Sequence, residues 1–145
     1  MKEYVVDASV AAKWLLPSAG ETFVSEANRL ADLHVQRKAR LKAPDLIWSE
    51  LGNILWMAVR TARTSRADAH SSLIHFSALA VDITPAKDLW APAFQIATIY
   101  DRTFYDSLYV ALALHVNAEL VTADEQVANA LASRFPVTWL GAFHE

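Results

Sequence analysis

The sequence contains no cysteine among its 145 residues and only 3 glycines. Without cysteine there is no disulfide framework, no thiolate metal site and no catalytic thiol. So few glycines argue against a loop that cradles phosphates in the Walker or dinucleotide-binding manner. No apolar run reaches the roughly 18 residues typical of a membrane span. The N-terminal segment MKEYVVDASV meets an acidic residue before an apolar signal stretch could form. We therefore expect a soluble, cytoplasmic protein.

Apolar residues, by contrast, are abundant. They make up 54 % of the chain, above the ~45–50 % typical of soluble domains. The length fits one domain over residues 1–145. Because such a domain has a limited interior, we expect part of the surplus on the surface, where contiguous apolar area marks an interface with a partner or a second copy. A large compact core is the alternative.

The basic residues are clustered, although the formal net charge of −3 argues against a general polyanion binder. Four of them fall within six positions, at Arg37, Lys38, Arg40 and Lys42, and a row with a spacing of three follows at Arg60, Arg63 and Arg66. Either group could contact nucleic-acid phosphates. Either could also form solvated helix ends, where the helix dipole favours cations.

Short apolar segments alternate with longer helical patterns. The segments that predict strands are YVV before Asp7, RLKA before Pro44, AVDIT before Pro85, AELVT before Ala123, and VTWL near the end. The helical patterns are VAAKWLL, ETFVSEANRLADLHVQRK, DLIWSELGNILWMAVR, SRADAHSSLIHFSALA, LWAPAFQIATIY, FYDSLYVALALHV and DEQVANALASRF. This alternation predicts an α/β fold with a parallel sheet covered on both faces. Such sheets bind ligands at the carboxyl ends of their strands, where the strand order reverses.

Four carboxylates fall at positions that suit such a site. Asp7 and Asp124 follow the first and fourth predicted strands, although each could instead cap the helix that follows it. Glu50 lies on or beside an apolar helix stripe, where a carboxylate is costly unless it is paired or bound to a metal. Asp106 lies in the first turn of its helix, whose positive end also suits an anion.

No basic residue accompanies these four carboxylates in their motifs, so they are expected to repel one another and to have raised pKa values. A divalent cation removes that penalty. Oxygen ligands without cysteine or a histidine cluster favour Mg²⁺ or Mn²⁺ over zinc. The sequence thus predicts a site for one or two ions, with catalytic and metal-binding roles for Asp7, Glu50, Asp106 and Asp124.

Two hydroxyls lie close to this set in the sequence. Ser9 and Thr122 are each two residues from one of the carboxylates, and could hold a carboxylate oxygen or a metal-bound water. They could equally be local turn or cap hydroxyls. The five histidines show no ligand spacing, and Asp101 and Glu125 are left outside the predicted site.

Four segments carry a family likeness. VVDASV, PDLIWSELGNIL, YDSLYVALAL and ELVTAD resemble, in order and spacing, the successive motifs of PIN-domain ribonucleases, especially the VapC-type toxins of toxin–antitoxin modules. The likeness extends over essentially the whole chain. The acidic quartet of the family falls on Asp7, Glu50, Asp106 and Asp124, and its accessory hydroxyl falls on Thr122.

The resemblance implies a three-layer α/β/α domain with a parallel sheet ordered 3-2-1-4-5 and about seven helices. It also implies a Mg²⁺ or Mn²⁺ site and cleavage of single-stranded or looped RNA. Family members commonly form homodimers. Their antitoxin is usually a small DNA-binding protein, of the VapB type, whose C-terminal segment wraps the toxin and blocks its site.

We therefore predict a metal-dependent endoribonuclease toxin, with the Arg37–Lys42 cluster as the candidate RNA contact. Aspartyl-phosphate chemistry at Asp7 is a rival, but a dehalogenase-type site needs a second Asp two residues later, where this chain has Ser9. A second rival is a catalytically silent scaffold that binds protein or RNA. The intact acidic quartet argues against it.

Overall fold

The computed structural model describes residues 1–144, whose five strands form one parallel sheet. The strands are β1 (Lys2–Val6), β2 (Ala39–Pro44), β3 (Asp82–Thr84), β4 (Glu119–Thr122) and β5 (Val137–Trp139). Their order in the sheet is β3-β2-β1-β4-β5, and every neighbouring pair is parallel. The predicted fold class and strand order are confirmed.

Seven α-helices connect the strands in the described part of the chain. They are α1 (Ala8–Leu15), α2 (Val24–Val35), α3 (Leu46–Arg60), α4 (Arg66–Leu79), α5 (Trp90–Tyr100), α6 (Phe104–His115) and α7 (Glu125–Leu131), with short 3₁₀ turns at Ala86–Asp88 and Leu140–Ala142. Helix α1 packs against α2, α3 and α4, whereas α5 packs on α6, which lies across β1, β2 and β4. Right-handed crossovers place these two groups on opposite faces of the sheet.

The strand order reverses between β1 and β4. The chain leaves β1 toward β2 and β3 on one side and returns to β4 and β5 on the other. Val6 and Val121 are register partners, so the residues that follow β1 and β4 emerge side by side. This places Asp7 and Asp124 at the same edge of the sheet, as the sequence predicted.

The core lies on both sides of this central strand pair. Val5, Val6 and Val121 are fully buried, and α6 is buried continuously from Ser107 to Ala113. Helix α6 therefore has a rigid position over the sheet, with its first turn at the edge where the carboxylates gather. None of the helices formed by residues 1–144 is long and apolar enough to cross a bilayer.

Candidate active site

The carboxylate of Asp7 is fixed at the start of α1. Its Oδ1 accepts hydrogen bonds from the backbone N–H groups of Ser9 and Val10 at 3.1 and 3.3 Å, and from the Ser9 hydroxyl at 2.5 Å. Asp7 is therefore the N-cap of α1. The capping role considered from the sequence is real, and it orients the side chain at the carboxyl edge of β1.

Ser9 and Thr122 link this carboxylate to the end of β4. The Ser9 Oγ accepts from the backbone N–H of Ala123 at 2.9 Å and lies 3.4 Å from the Thr122 Oγ1. Thr122 is fully buried, and its Oγ1 accepts from the backbone N–H of Asp124 at 3.1 Å. The two hydroxyls thus connect the backbone around both aspartates.

Asp124 has the same local geometry as Asp7 but is exposed. It is the N-cap of α7, and its Oδ1 accepts from the backbone N–H groups of Gln126 and Val127 at 3.0 and 3.3 Å. Both aspartates are therefore helix caps at adjacent strand ends. Each holds its helix with one carboxylate oxygen, which leaves the other oxygen for a further contact.

Glu50 lies in α3 and reaches across to α6. Its Oε1 accepts a hydrogen bond of 2.6 Å from the hydroxyl of Tyr109, whose ring is buried. Glu50 also borders a cavity of about 400 Å³ between α3 and the start of α6, where Tyr105 lies opposite it. The carboxylate is therefore held at the wall of an open depression.

Asp106 has a basic partner, contrary to the expectation from the sequence. It lies in the first turn of α6 as predicted, but its Oδ2 forms an ion pair of 3.1 Å with the guanidinium of Arg102. Arg102 lies just before α6, one residue ahead of its N-cap Thr103 and outside the YDSLYVALAL motif. The expectation of four carboxylates without a compensating cation is therefore wrong for Asp106.

Asp7 and Glu50 have raised pKa values. The pKa of Asp7 is raised to about 6, mainly by burial and further by the charge of Glu50. Hydrogen bonds from Ser9, Thr122 and Val10 oppose this shift. Burial also raises the pKa of Glu50, with the hydrogen bond from Tyr109 opposing and the charge of Asp106 adding to the shift. These couplings place Asp7, Glu50 and Asp106 in one electrostatic cluster.

The carboxylate oxygens of the site suit a hard divalent cation, although they do not form a complete coordination shell. Among residues 1–144, no three acidic or histidine side chains are grouped tightly enough to count as a ready metal cage. Glu50, Asp106 and Asp124 nevertheless each use one carboxylate oxygen in the hydrogen bonds above, and in the described chain the other oxygen accepts none. Carboxylate oxygens are the ligands that Mg²⁺ and Mn²⁺ prefer, and these free oxygens belong to the same site as Asp7, whose pKa is raised by burial.

Sequence reasoning missed Tyr109 and Arg102. Tyr109 lies three residues after Asp106, on the same side of α6, and this spacing was a usable signal. Arg102 lies four residues before Asp106, but the turn between them hides that relation from helical periodicity. We refer below to Asp7, Glu50, Asp106 and Asp124 as the acidic site.

The basic clusters lie elsewhere. Arg37 and Arg40 line a cavity with Met1 at the amino ends of β1 and β2, the edge of the sheet opposite the acidic site. Lys42 is engaged by Asp82 at 2.8 Å. In the other row, Arg63 pairs with Glu21 at 3.2 Å and Arg60 lies over the Trp56 ring. RNA contact by Arg37, Lys38, Arg40 and Lys42 stays a prediction. An RNA bound at Arg37 and Arg40 would have to extend from one edge of the sheet to the other to reach the acidic site.

Comparison with known proteins supplies a family for this arrangement. The family model described as "PIN domain" matches residues 4–131. Ribonuclease VapC3 of Pyrobaculum aerophilum is 32 % identical over 136 residues, which cover 91 % of this chain and 94 % of that protein.

Solved structures resemble the fold at lower identity. PAE2754 from Pyrobaculum aerophilum has a TM-score of 0.67 and 22 % identity, covering 97 % of this chain and 85 % of that one. VapBC2 from Rickettsia felis, solved with a DNA fragment from their promoter, has a TM-score of 0.63 and 14 % identity, covering 94 % and 98 %.

Proposed function

The chain belongs to the PIN-domain family and is related to the VapC ribonucleases, and from its acidic site we propose that it is a metal-dependent endoribonuclease. The observation that carries the proposal is the position of the carboxylates. Asp7 and Asp124 follow adjacent strands where the strand order reverses, and Glu50 is close enough to raise the pKa of Asp7, as Asp106 raises that of Glu50. Two of them cap helices at the ends of β1 and β4, and two reach the same edge from α3 and α6. This is the position at which parallel α/β sheets bind their ligands.

Asp7, Asp106 and Asp124 would hold one or two Mg²⁺ or Mn²⁺ ions, with Glu50 as a further ligand, directly or through water. When bound there, the ion supplies Lewis acidity, which makes an attacking water more acidic and stabilises the charge on the leaving 3′-oxygen. The ion's positive charge also favours the ionised form of Asp7, whose pKa is raised in the metal-free protein.

The residues of the chain itself prepare this chemistry by holding the carboxylates in place. The Tyr109 hydroxyl fixes Oε1 of Glu50 at 2.6 Å, leaving Oε2 to orient a water. Ser9 and the backbone amides at the start of α1 fix Oδ1 of Asp7. Side chains positioned in this way need little rearrangement when substrate binds, which is a main source of catalytic power.

Two partners accompany this proposal. The relation to VapC ribonucleases and the likeness to VapBC2 support a VapB-type antitoxin as a partner, and we propose that it covers the acidic site. A second copy of the chain would cover part of the exposed apolar surface, which includes Trp90 and Phe94 on one side of α5, with 61 and 57 % of each exposed.

The test is cleavage of a mixed RNA pool with Mn²⁺, compared with the same reaction in EDTA. We expect cleavage by the wild type and none by Asp106→Asn. The matched control is Asp68→Asn, because both residues occupy the third position of a helix and both backbone N–H groups are capped by a hydroxyl. Asp68 lies on α4, outside the acidic site, so its variant should cleave normally. An RNA pool left intact by the wild type would indicate a silent binding scaffold instead.

A further inference from the structure

A surface cavity of about 330 Å³ lies beside the acidic site, between the end of α5 and the end of α7. Its walls include two arginines, Arg102 and Arg134, and the ring of Tyr100. We call it the Arg102–Arg134 cavity. Its volume lies at the lower end of the range for small-ligand pockets.

Arg102 joins this cavity to the acidic site. One terminal nitrogen of its guanidinium contacts Asp106 at 3.1 Å, while its Nε is buried and, among the described residues, has no hydrogen-bond acceptor. The backbone is held by a hydrogen bond of 3.2 Å from the Arg102 N–H to the Ala97 carbonyl. A guanidinium has five N–H donors, so this one can bind an anion and remain beside Asp106.

Tyr100 and Arg134 form the other part of the cavity. The Arg134 guanidinium lies 5.3 Å from the centre of the Tyr100 ring, which packs edge-on against Phe135 at 5.0 Å. Tyr100 remains 37 % exposed. A stacked guanidinium beside a partly open aromatic ring is suited to a phosphate and a base together, because arginine binds phosphate through paired N–H groups and aromatic rings stack on any base.

The charge balance also favours an anion. Among the described residues that line the cavity, Asp101 is the acidic one, against the two arginines. Arg102 is paired with Asp106, but Arg134 has no ion pair among the described residues, so the cavity offers a phosphate a guanidinium that the carboxylates beside it lack.

We propose that the Arg102–Arg134 cavity binds a nucleotide of single-stranded RNA next to the bond that is cleaved. Arg134 and Arg102 hold phosphates, and Tyr100 offers its ring to a base. This inference rests on the proposed ribonuclease function. It differs from the sequence-based expectation, which placed RNA contacts at Arg37, Lys38, Arg40 and Lys42.

The test is binding of a fluorescein-labelled single-stranded RNA of about 12 nucleotides, followed by fluorescence anisotropy in EDTA so that no cleavage occurs. Arg134→Gln and Tyr100→Leu are the informative variants, because neither side chain contacts the acidic site. Arg40→Gln, at the opposite edge of the sheet, is the matched control. We expect Arg134→Gln to weaken binding about tenfold, as for loss of one charged hydrogen-bonding group, and to reduce the salt slope by about 0.7.

Tyr100→Leu should weaken binding severalfold and leave the salt slope unchanged, because a ring contact carries no charge. Wild-type affinity in both variants, or the same loss in Arg40→Gln, would overturn the proposal, as would absence of RNA binding by the wild type. A parallel cleavage assay with Mn²⁺ separates the two proposals. If the wild type cleaves RNA but Arg134→Gln binds RNA as the wild type does, only the proposal for the cavity is rejected. If binding depends on Arg134 but the wild type does not cleave, only the proposed nuclease activity is rejected.

Discussion

The Asp7 side chain has two opposite effects on stability. Its Oδ1 caps α1 through two backbone amides and a hydroxyl, which stabilises the fold. Its negative charge is buried beside Glu50, which raises its pKa from 3.8 to about 6. An asparagine can keep the first effect, because its carbonyl oxygen accepts the same hydrogen bonds, and it removes the second.

We therefore predict that Asp7→Asn stabilises the metal-free protein at neutral pH. Between about pH 4 and pH 6 the folded wild type binds more protons than the unfolded chain, so its stability falls as the pH rises through this window. The shift corresponds to at most about 3 kcal/mol. Urea unfolding in EDTA at pH 4 and pH 7 should show a gain for Asp7→Asn at pH 7 and little change at pH 4.

RNA cleavage by Asp7→Asn should be lost in the same preparation. The control is Asp68→Asn, which lies outside the acidic site and should change neither quantity. A loss of stability at both pH values would mean that the helix cap needs the negative charge of Asp7. The claim that burial of this charge destabilises the fold would then be wrong.

The acidic residues were proposed from local features of the sequence. Asp7 and Asp124 follow predicted strands, Glu50 interrupts an apolar helix face, and Asp106 lies in the first turn of a predicted helix. Those relations are local in the chain. The contact of Tyr109 with Glu50 depends on tertiary placement, because it joins residues 59 positions apart. Arg102 and Asp106 are only four residues apart, but Arg102 precedes the start of α6. Periodicity could place Tyr109 on the same side of α6 as Asp106, but it could not show that the Tyr109 hydroxyl contacts Glu50.

At the scale of elements, the acidic site depends on the hydroxyls that join α1, β4 and α7. Thr122 is fully buried at the end of β4, within 3.4 Å of the Ser9 hydroxyl and accepting from the Asp124 backbone. A side chain of the same shape without the hydroxyl would leave the Asp124 N–H without its acceptor.

We predict that Thr122→Val lowers the free energy of unfolding by about 0.5–1.5 kcal/mol, the net contribution of one hydrogen bond, and weakens Mn²⁺ binding. Urea unfolding and calorimetric titration of Mn²⁺ measure the two effects. Thr122→Ser is the matched control, since it keeps the hydroxyl, and its metal affinity should stay close to that of the wild type. Equal metal affinity in Thr122→Val would show that the hydroxyl has no part in orienting Asp124.

Helix boundaries show where local sequence signals were insufficient. The pattern from residue 21 to 38 predicted one long helix, but α2 spans only Val24–Val35. It is bounded by Phe23 and Arg37, both with a left-handed backbone at φ 55° and 58°. Such positions usually carry glycine. Here they carry larger residues, so the sequence did not mark the ends, and tertiary packing must hold them.

At the scale of the whole molecule, the apolar surplus is divided between core and surface. Trp14 is half-buried against the core, and its indole N–H donates to the Ala27 carbonyl at 2.7 Å, which joins α1 to α2. Trp48 packs on Phe76 and is 39 % exposed, whereas Trp56 is 53 % exposed on α3. Of the three tryptophans near the acidic motifs, Trp56 is therefore the strongest candidate for a partner contact.

The ion pair between Arg102 and Asp106 shows how a partner could act on the acidic site. A guanidinium within the chain already neutralises one of the four carboxylates. A basic side chain of an antitoxin can do the same for Glu50 or Asp124, provided that an apolar helix of the partner is anchored nearby, as aromatic contacts often allow. The antitoxin and the metal would then compete for the same oxygens.

We predict that Mn²⁺ weakens antitoxin binding by the wild type, and that this competition disappears when the basic residue of the antitoxin is replaced by Ala. The measurement is the antitoxin dissociation constant by calorimetry at increasing Mn²⁺ concentrations. Trp56→Ala should weaken binding by roughly 2 kcal/mol or more if it is an interface hot spot, but it should leave the metal dependence in place, because Trp56 is not one of the carboxylates. An affinity that is insensitive to Mn²⁺ for both forms of the antitoxin would mean that the partner binds the apolar surface without entering the acidic site.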